Sequence, residues 1–289
     1  MTTFLLTLLT MLAAPADEHA RANPIYHDLL ESGVAGTATE HIRLPAPVMA
    51  DGLSADVQDG VLKAVIGDEY SLDEFTRPSP VAPFRLQLRD ASPSDPKAPS
   101  RSVDVYFIAH GDWKAAGTKE LLDRVLNSNR EAGKANTIET EELKRRGIRI
   151  GDPKREGYAQ VVFGLLDRVE LSVVGHSFWS ESPESLIAAG VLDSRFHEDA
   201  ELPNRWRPTH KTGDGKVELG KAEPYDGAGY YIKVTRLESP KGAIFVEGHL
   251  VFTEPKGWFG GANLLRSKLP PVIQGQVRAF RRELAKASR

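Results

Sequence analysis

The stretch "YYIKVTRLESPKGAIFVEGHLVF" (residues 230–252) alternates apolar and polar side chains with the period of two expected of a half-buried strand. Tyr230, Ile232 and Val234 fall on one face, and Tyr231, Lys233 and Thr235 on the other. Residues 238–242 supply Pro240 and Gly242 for a turn. Beyond it, Ile244, Val246, Leu250 and Phe252 share one side, while Glu247, His249 and Thr253 take the other. The pattern predicts an antiparallel hairpin. A one-residue slip would expose every apolar side chain, so the register is well specified. What covers the apolar face is the open question: a packed core, a captured apolar molecule or a partner surface would each produce this alternation.

The chain itself offers a cover. In "PPVIQGQVRAFRRELAKASR" (270–289), Ile273, Val277, Phe280 and Leu284 recur at spacings of four, three and four, which predicts an amphipathic helix with one apolar stripe. The last strand of the hairpin leads to it through "EPKGWFGGANLLRSKL", so the simplest arrangement lays helix on sheet.

Upstream, helices come first. Asn23, Pro24 and Gly33 bracket a short helix in "NPIYHDLLESG", as N-cap, first-turn proline and stop. A second follows in "SADVQDGVLKAVIG", where Val57, Val61, Leu62 and Val65 recur at helical spacing before Gly67. Ser71 and Glu74 form a capping box, and "RPSPVAP" then breaks helix. From Phe84 the period turns to two, in "FRLQLR" and in "VDVYFIAH". "ASPSDPKAPS" between them reads as a loop. "TKELLDRVLNSN" predicts a helix with Leu121, Leu122, Val125 and Leu126 on one side, and "ANTIETEELKRRG" a charged, solvated one. "AQVVFGLLDRVELSVVG" reads as two strands or one long bent strand. Ser182 and Pro183 predict a short helix through "PESLIAAG", and residues 197–227 read as polar loops around a short strand near Trp206. There is no internal repeat.

The opening "MTTFLLTLLTMLAAPADEHA" carries an apolar run from Phe4 to Leu12 and then Ala14-Pro15-Ala16, which reads as a secretory signal ending at residue 16. The run is too short to span a bilayer, which takes about 20 apolar residues. The expected organisation is a signal peptide over 1–16, a helical segment over 17–80 and an α+β domain over 81–289. Zero cysteines exclude disulfides, a thiolate metal site and a lipidated cysteine. An exported protein of the periplasm, cell envelope or medium is the expected localisation. With 40% hydrophobic and 27% charged residues the composition is that of a globular protein, and a net charge of -3 gives no general attraction for nucleic acid.

An antiparallel sheet with interspersed helices and a long closing helix, over residues 84–289, resembles the helix-grip (START-like) architecture. That resemblance implies a curved sheet wrapped around the last helix and, often, an enclosed lipid-like or other apolar ligand. The segments "VAPFRLQLRD" and "VDVYFIAHGD" behind an exported N-terminus are also similar to uncharacterised exported bacterial proteins, which brings no activity with it.

Three features invite chemistry. Gly175-His176-Ser177 after a strand resembles the Gly-x-Ser-x-Gly nucleophile elbow, with Asp226 and His249 following in hydrolase order. Trp179 occupies the place of the final glycine, where strand and helix pass too closely for an indole, so an ordinary strand ending in a turn is the better reading. His110 with Asp112, and His197 with Glu198 and Asp199, place metal-ligand types together but match no recognised spacing; a turn and a solvated loop account for them, and neither a metal nor a cofactor is expected. From Lys256 onward eight basic residues stand against Glu283 alone, a local charge of +7. With Trp258 and Phe259 beside it, that segment could dock on an anionic membrane or an acidic partner; a helix whose apolar stripe faces the sheet and whose cationic face is solvated is the better reading.

The residues favour an exported, cysteine-free α+β protein whose antiparallel sheet is closed by a C-terminal helix, with binding favoured over catalysis. The ligand expected between hairpin and helix is small and apolar. The rivals are a serine hydrolase using Ser177 and a structural envelope protein attached through its basic end.

Overall fold

The computed structural model describes residues 18–35, 41–92, 100–118, 121, 133–213, 216–256, 258 and 263–288. The expected signal peptide, residues 93–99 of the "ASPSDPKAPS" loop, Phe259 and most of "TKELLDRVLNSN" lie outside them, while Ala91 and Ser92 end a strand and Ser100 begins the next.

The helices α1 (Glu18–Ala22), α2 (Pro24–Glu31), α3 (Ala55–Ile66) and α4 (Leu72–Thr76) open the fold, with a small ribbon of β1 (Val34–Ala35) and β2 (His41–Ile42). The predicted caps are present. The Asn23 side chain accepts from the Tyr26 amide at 3.0 Å, and the Ser71–Glu74 capping box is complete. Gly33 takes a positive φ of 79°, and a Cβ there would sit 2.6 Å from the Ile42 carbonyl carbon, so helix and ribbon meet only across a glycine.

The main sheet follows. Its strands are β3 (Phe84–Ser92), β4 (Ser100–His110), β5 (Lys134–Thr137), β6 (Glu156–Leu165), β7 (Val169–Glu181), β8 (Ser185–Leu192), β9 (Arg205–Lys211), β10 (Val217–Leu219), β11 (Glu223–Pro224), β12 (Ala228–Arg236) and β13 (Ala243–Thr253). A short helix α5 (Thr140–Arg145), the long closing helix α6 (Asn263–Ala287) and two 3-10 turns (Trp113–Gly117 and Ser194–Phe196) accompany the strands. All pairings are antiparallel, in the order β3-β4-β13-β12-β8-β7-β6-β5, and β9 runs beside the first part of β7. The early hairpin β3-β4 thus meets the last strand, and the strands between follow sequence order round the curve with α6 against them. That is the helix-grip topology, in an α+β fold.

The hairpin 230–252 forms in the predicted register, with Tyr230 opposite Leu250 and Val234 opposite Val246. Val277, Leu284, Ile273 and Phe280 of α6 pack against Phe107, Val234, Ile244 and Val246, so the helix stripe covers the sheet as expected.

Four readings change. Residues 185–192 are strand β8 and not a helix. The Ser182 hydroxyl accepts from the Glu184 and Ser185 amides at 3.3 and 3.0 Å, as an N-cap would, but it closes the β7-β8 turn, and pairing on both sides overrides local propensity. "ANTIETEELKRRG" splits into β5 and the short α5. Residues 197–227 contain three strands in place of one. Helix α6 starts at Asn263, seven residues before the prolines, and Pro270 and Pro271 lie within it. They deprive the Arg266 and Ser267 carbonyls of their helical donors.

The larger surprise is the second face of the hairpin. Tyr231, Lys233, Thr235, Glu247 and His249 are buried, more deeply than Tyr230 and Ile232 of the apolar row, which keep 39% and 38% of their surface accessible. The N-terminal helices and the strap 44–53 cover them: Tyr26, Leu29 and Leu44 pack on Tyr231 and Val251, and Met49, Leu62 and Phe75 on Tyr106 and Phe245.

Candidate functional site

On the α6 side, the core is incomplete. A cavity of 380 Å³ lies between the sheet and the first turns of α6, walled by such residues as Phe163, Val173, Leu250, Phe252, Leu269 and Ile273. Its size falls in the usual range for a small-molecule site, about 300–1,000 Å³.

The sheet register explains why space is left. One row crosses the strands as Gly157, Ser177, Gly190, Tyr230, Leu250 and Val103. Two glycines flank Ser177 and hollow the floor. A Cβ at Gly190 would lie 2.7 Å from Tyr230 Cε1 and 3.0 Å from the phenol oxygen, so the Tyr230 ring lies across Gly190 towards β7. Tyr230 keeps 39% of its surface accessible although it belongs to a central strand; it lines the cavity.

The wall holds few polar groups. Ser177 Oγ donates to the Gly157 carbonyl at 3.2 Å, and the Tyr225 hydroxyl donates to the Thr253 carbonyl at 3.2 Å. Among the described residues the Tyr230 hydroxyl has no protein hydrogen-bond partner, and burial raises its pKa, so it stays protonated. His176 borders the cavity, but its ring stacks on Tyr158, with centroids 4.2 Å apart, and bonds Glu156 Oε1 at 2.8 Å. Burial lowers its pKa, against the pull of Glu156, so it is neutral near pH 7.

The residues of the hydrolase reading are not brought together. Ser177 sits inside strand β7, not on an elbow, and faces the cavity. His249 points to the opposite face of the sheet, where Nδ1 bonds Asp104 Oδ1 at 2.7 Å. Asp226 lies at the surface, 3.9 Å from His197 Nδ1. Nucleophile, base and acid occupy three places, and no general base reaches Ser177. In the two metal candidates, His110 Nε2 bonds the Thr76 carbonyl at 2.8 Å, Asp112 caps a 3-10 turn and Asp199 pairs with Arg146 at 2.9 Å, while His197 Nε2 has no hydrogen-bond partner among the described residues. Among the described residues no cluster of three His, Asp or Glu is placed to hold a metal ion.

The basic end is less free than its sequence suggests. Arg281 is buried, donating to the carbonyls of Ile108 at 2.7 Å and Pro83 at 2.8 Å and packing over Phe107. Burial pulls its pKa down to about 10. Trp258 is buried too, stacked on Tyr225 at 5.3 Å and beside Trp206 and Phe252. Neither is available to a membrane, because both are committed to the core; Arg278 is half-buried and Arg282 exposed.

Sequence reasoning missed the polar network on the far face. Glu247 accepts from the Val48 and Met49 amides at 2.8 and 3.3 Å. Lys233 donates to the Met49 carbonyl and to Asp51, both at 2.8 Å. Asp51 accepts from Ser182 and Ser185 at 2.6 and 2.8 Å, and His19 lies between Ser180 and Ser185 at 2.8 and 2.7 Å. Burial opposes the charge on Asp51, but the Lys233, Ser182 and Ser185 bonds outweigh it and lower its pKa. One signal was available: Lys233 lies opposite Glu247 in the hairpin register, a pairing equally at home on a solvated face.

No family model matches the chain, and no curated protein matches it. Solved structures do. The chain is similar to the human StarD13 (DLC2) lipid transfer and protein localization domain, at 11% identity and a TM-score of 0.41, covering 68% of this chain and 89% of that one. A STAR-related lipid transfer protein from Xanthomonas axonopodis gives 9% identity and a TM-score of 0.43, over 69% and 98% of the two chains. Human STARD10 gives 10% and 0.36, over 81% and 84%. What identifies the helix-grip topology is the chain's own strand order.

Proposed function

We propose that the protein is an exported carrier that holds a small apolar ligand between its sheet and the closing helix. The observation that carries this reading is the 380 Å³ cavity, which coincides with the apolar row of the hairpin and with Leu265, Leu269 and Ile273 of α6. A core whose only task was stability would fill that space, because voids forfeit dispersion contacts. Export is supported by the apolar run and Ala14-Pro15-Ala16 at the N-terminus and by the absence of cysteine.

Native mass spectrometry of the protein purified from its own host tests the reading. A co-purifying apolar molecule is expected, and it should be absent from a variant whose cavity is blocked by Ala159→Phe. Recovery of the bare chain, together with no uptake of any apolar probe, would reject the carrier.

A further inference from the structure

We propose that the occupant of the cavity is an uncharged alcohol, whose apolar body fills the chamber and whose hydroxyl bonds to Tyr230 and Ser177. This rests on the carrier function proposed above and narrows it to a chemical class.

The polarity of the wall leads there. Tyr225 spends its proton on Thr253 and His176 is engaged by Glu156. Ser177 spends its proton on the Gly157 carbonyl, but its oxygen lone pairs remain to accept. Tyr230 is the complement. Its ring lines the cavity and its hydroxyl meets no protein acceptor among the described residues, so its proton is free to be donated to an occupant. The ring lies across Gly190, which brings the phenol oxygen over β8, about one strand spacing, 4.8 Å, from β7, the strand that carries Ser177. The two hydroxyls therefore form one polar spot in an otherwise apolar chamber. A group that accepts from Tyr230 and donates to Ser177 satisfies both, and a hydroxyl is the smallest group able to do so.

Charge narrows it further. Among the described residues that line the cavity none is Asp, Glu, Lys or Arg, and His176 is neutral near pH 7. A carboxylate or phosphate inside would be buried without a counter-ion, which is far costlier than burying a hydroxyl with two partners. Volume sets the scale: at about 30 Å³ per water-sized group, the 380 Å³ takes roughly a dozen heavy atoms.

The test displaces the neutral fluorophore 1-naphthylamine, small enough for that volume, from the full chain at pH 7.5 with three competitors of one chain length: 1-dodecanol, 1-chlorododecane and dodecanoate. Dodecanol should compete at roughly tenfold lower concentration than the other two, the scale of one well-made hydrogen bond in an apolar site. Tyr230→Phe should reduce that advantage to about twofold, with each competitor's midpoint referred to that variant's own fluorophore affinity. Ser177→Ala should give a smaller loss of the same sign and serves if the first variant misfolds. Equal competition by dodecanol and chlorododecane, or strongest competition by dodecanoate, would overturn the alcohol and leave the carrier standing. No fluorophore binding to the unaltered chain would remove both.

Discussion

The two faces of β12 and β13 are built from the same alternating sequence and end in opposite states. Towards α6 the row of Tyr230, Leu250 and Val103 stands over glycines and leaves a chamber. Towards the strap 44–53, Lys233, Glu247 and His249 are covered, and each of these three is bonded or ion-paired. The difference has a physical cause. An apolar wall tolerates empty space at the cost of dispersion, whereas a buried charge facing a void loses its partners outright. A carrier can therefore keep its chamber only on the apolar side, and the polar side is free to act as the rigid wall.

The largest break in that contrast comes from the closed face. Glu247→Ala removes the acceptor of two strap amides and leaves His249 and Lys233 with one buried anion fewer. Breaking a buried pair by removing one partner costs about 3–5 kcal/mol, so urea denaturation should show a loss of that size. Fluorophore binding per folded molecule should be unaffected, since the chamber lies on the other face. A loss under about 1 kcal/mol would mean that the network behaves as an exposed one.

On the α6 side the far end of the helix is closed too: the Arg281 guanidinium joins the helix to the carbonyls of the segment 82–83 and to β4. Arg281→Met should cost about 2 kcal/mol, because charge-assisted bonds to carbonyls are lost and the carbonyls stay buried. Arg282→Ser, one residue on and exposed, should change stability by less than about 0.5 kcal/mol. Equal effects at the two sites would return the basic end to the solvated surface it resembles in sequence.

The open face responds the other way. Ala159→Phe adds a ring to the cavity wall, so fluorophore affinity should fall at least tenfold, while stability stays within about 1 kcal/mol because the ring enters existing space and not a filled core. A large destabilisation would show that Ala159 is already tightly packed.

The same asymmetry decides how much could be read from the chain. Hairpin, register and helix stripe were legible because each is a periodic signal carried by consecutive residues, and apolar residues on a period of two or 3.6 have few other uses. The cavity was legible only as a possibility: its existence depends on Gly157 and Gly190 falling in one row with Tyr230, which requires the order of four strands. Residues 182–192 misled because Ser182 makes an N-cap's bonds in a hairpin turn. "GLLDRV" left one strand or two open because its turn places Leu166 and Asp167 at positive φ, 55° and 56°, where Asn-Gly would have announced it. The buried network was invisible for a deeper reason. Lys233, Glu247 and His249 look solvated until the strap lies over them, and nothing local specifies a cover nearly two hundred residues away in sequence.

The smallest predicted effect concerns pH, and it separates two histidines. Burial depresses the pKa of His249, but Asp104, at 2.7 Å from Nδ1, and Glu247, at 3.5 Å from Nε2, outweigh it, and the net shift is upward. The 3.5 Å contact is an ion-pair distance and not a hydrogen bond. Arg89 on Asp104, Lys233 opposite Glu247, and the Tyr106 and Tyr231 rings complete its surroundings. A raised folded pKa gives stability that is fully present below the unfolded value, about 6.5, and is lost as pH rises through the folded value. His176 has a lowered pKa, so its contribution is present above about 6.5 and is lost as pH falls. Denaturation from pH 6 to 9 should therefore show a decline above neutrality, shallower than the roughly 1.4 kcal/mol per pH unit that one proton allows. His249→Gln should flatten that decline, and His176→Gln should leave it in place and alter only the acid side. A decline that survives His249→Gln would mean that the imidazole is neutral in the fold and that Asp104 and Glu247 are balanced by Arg89 and Lys233 alone.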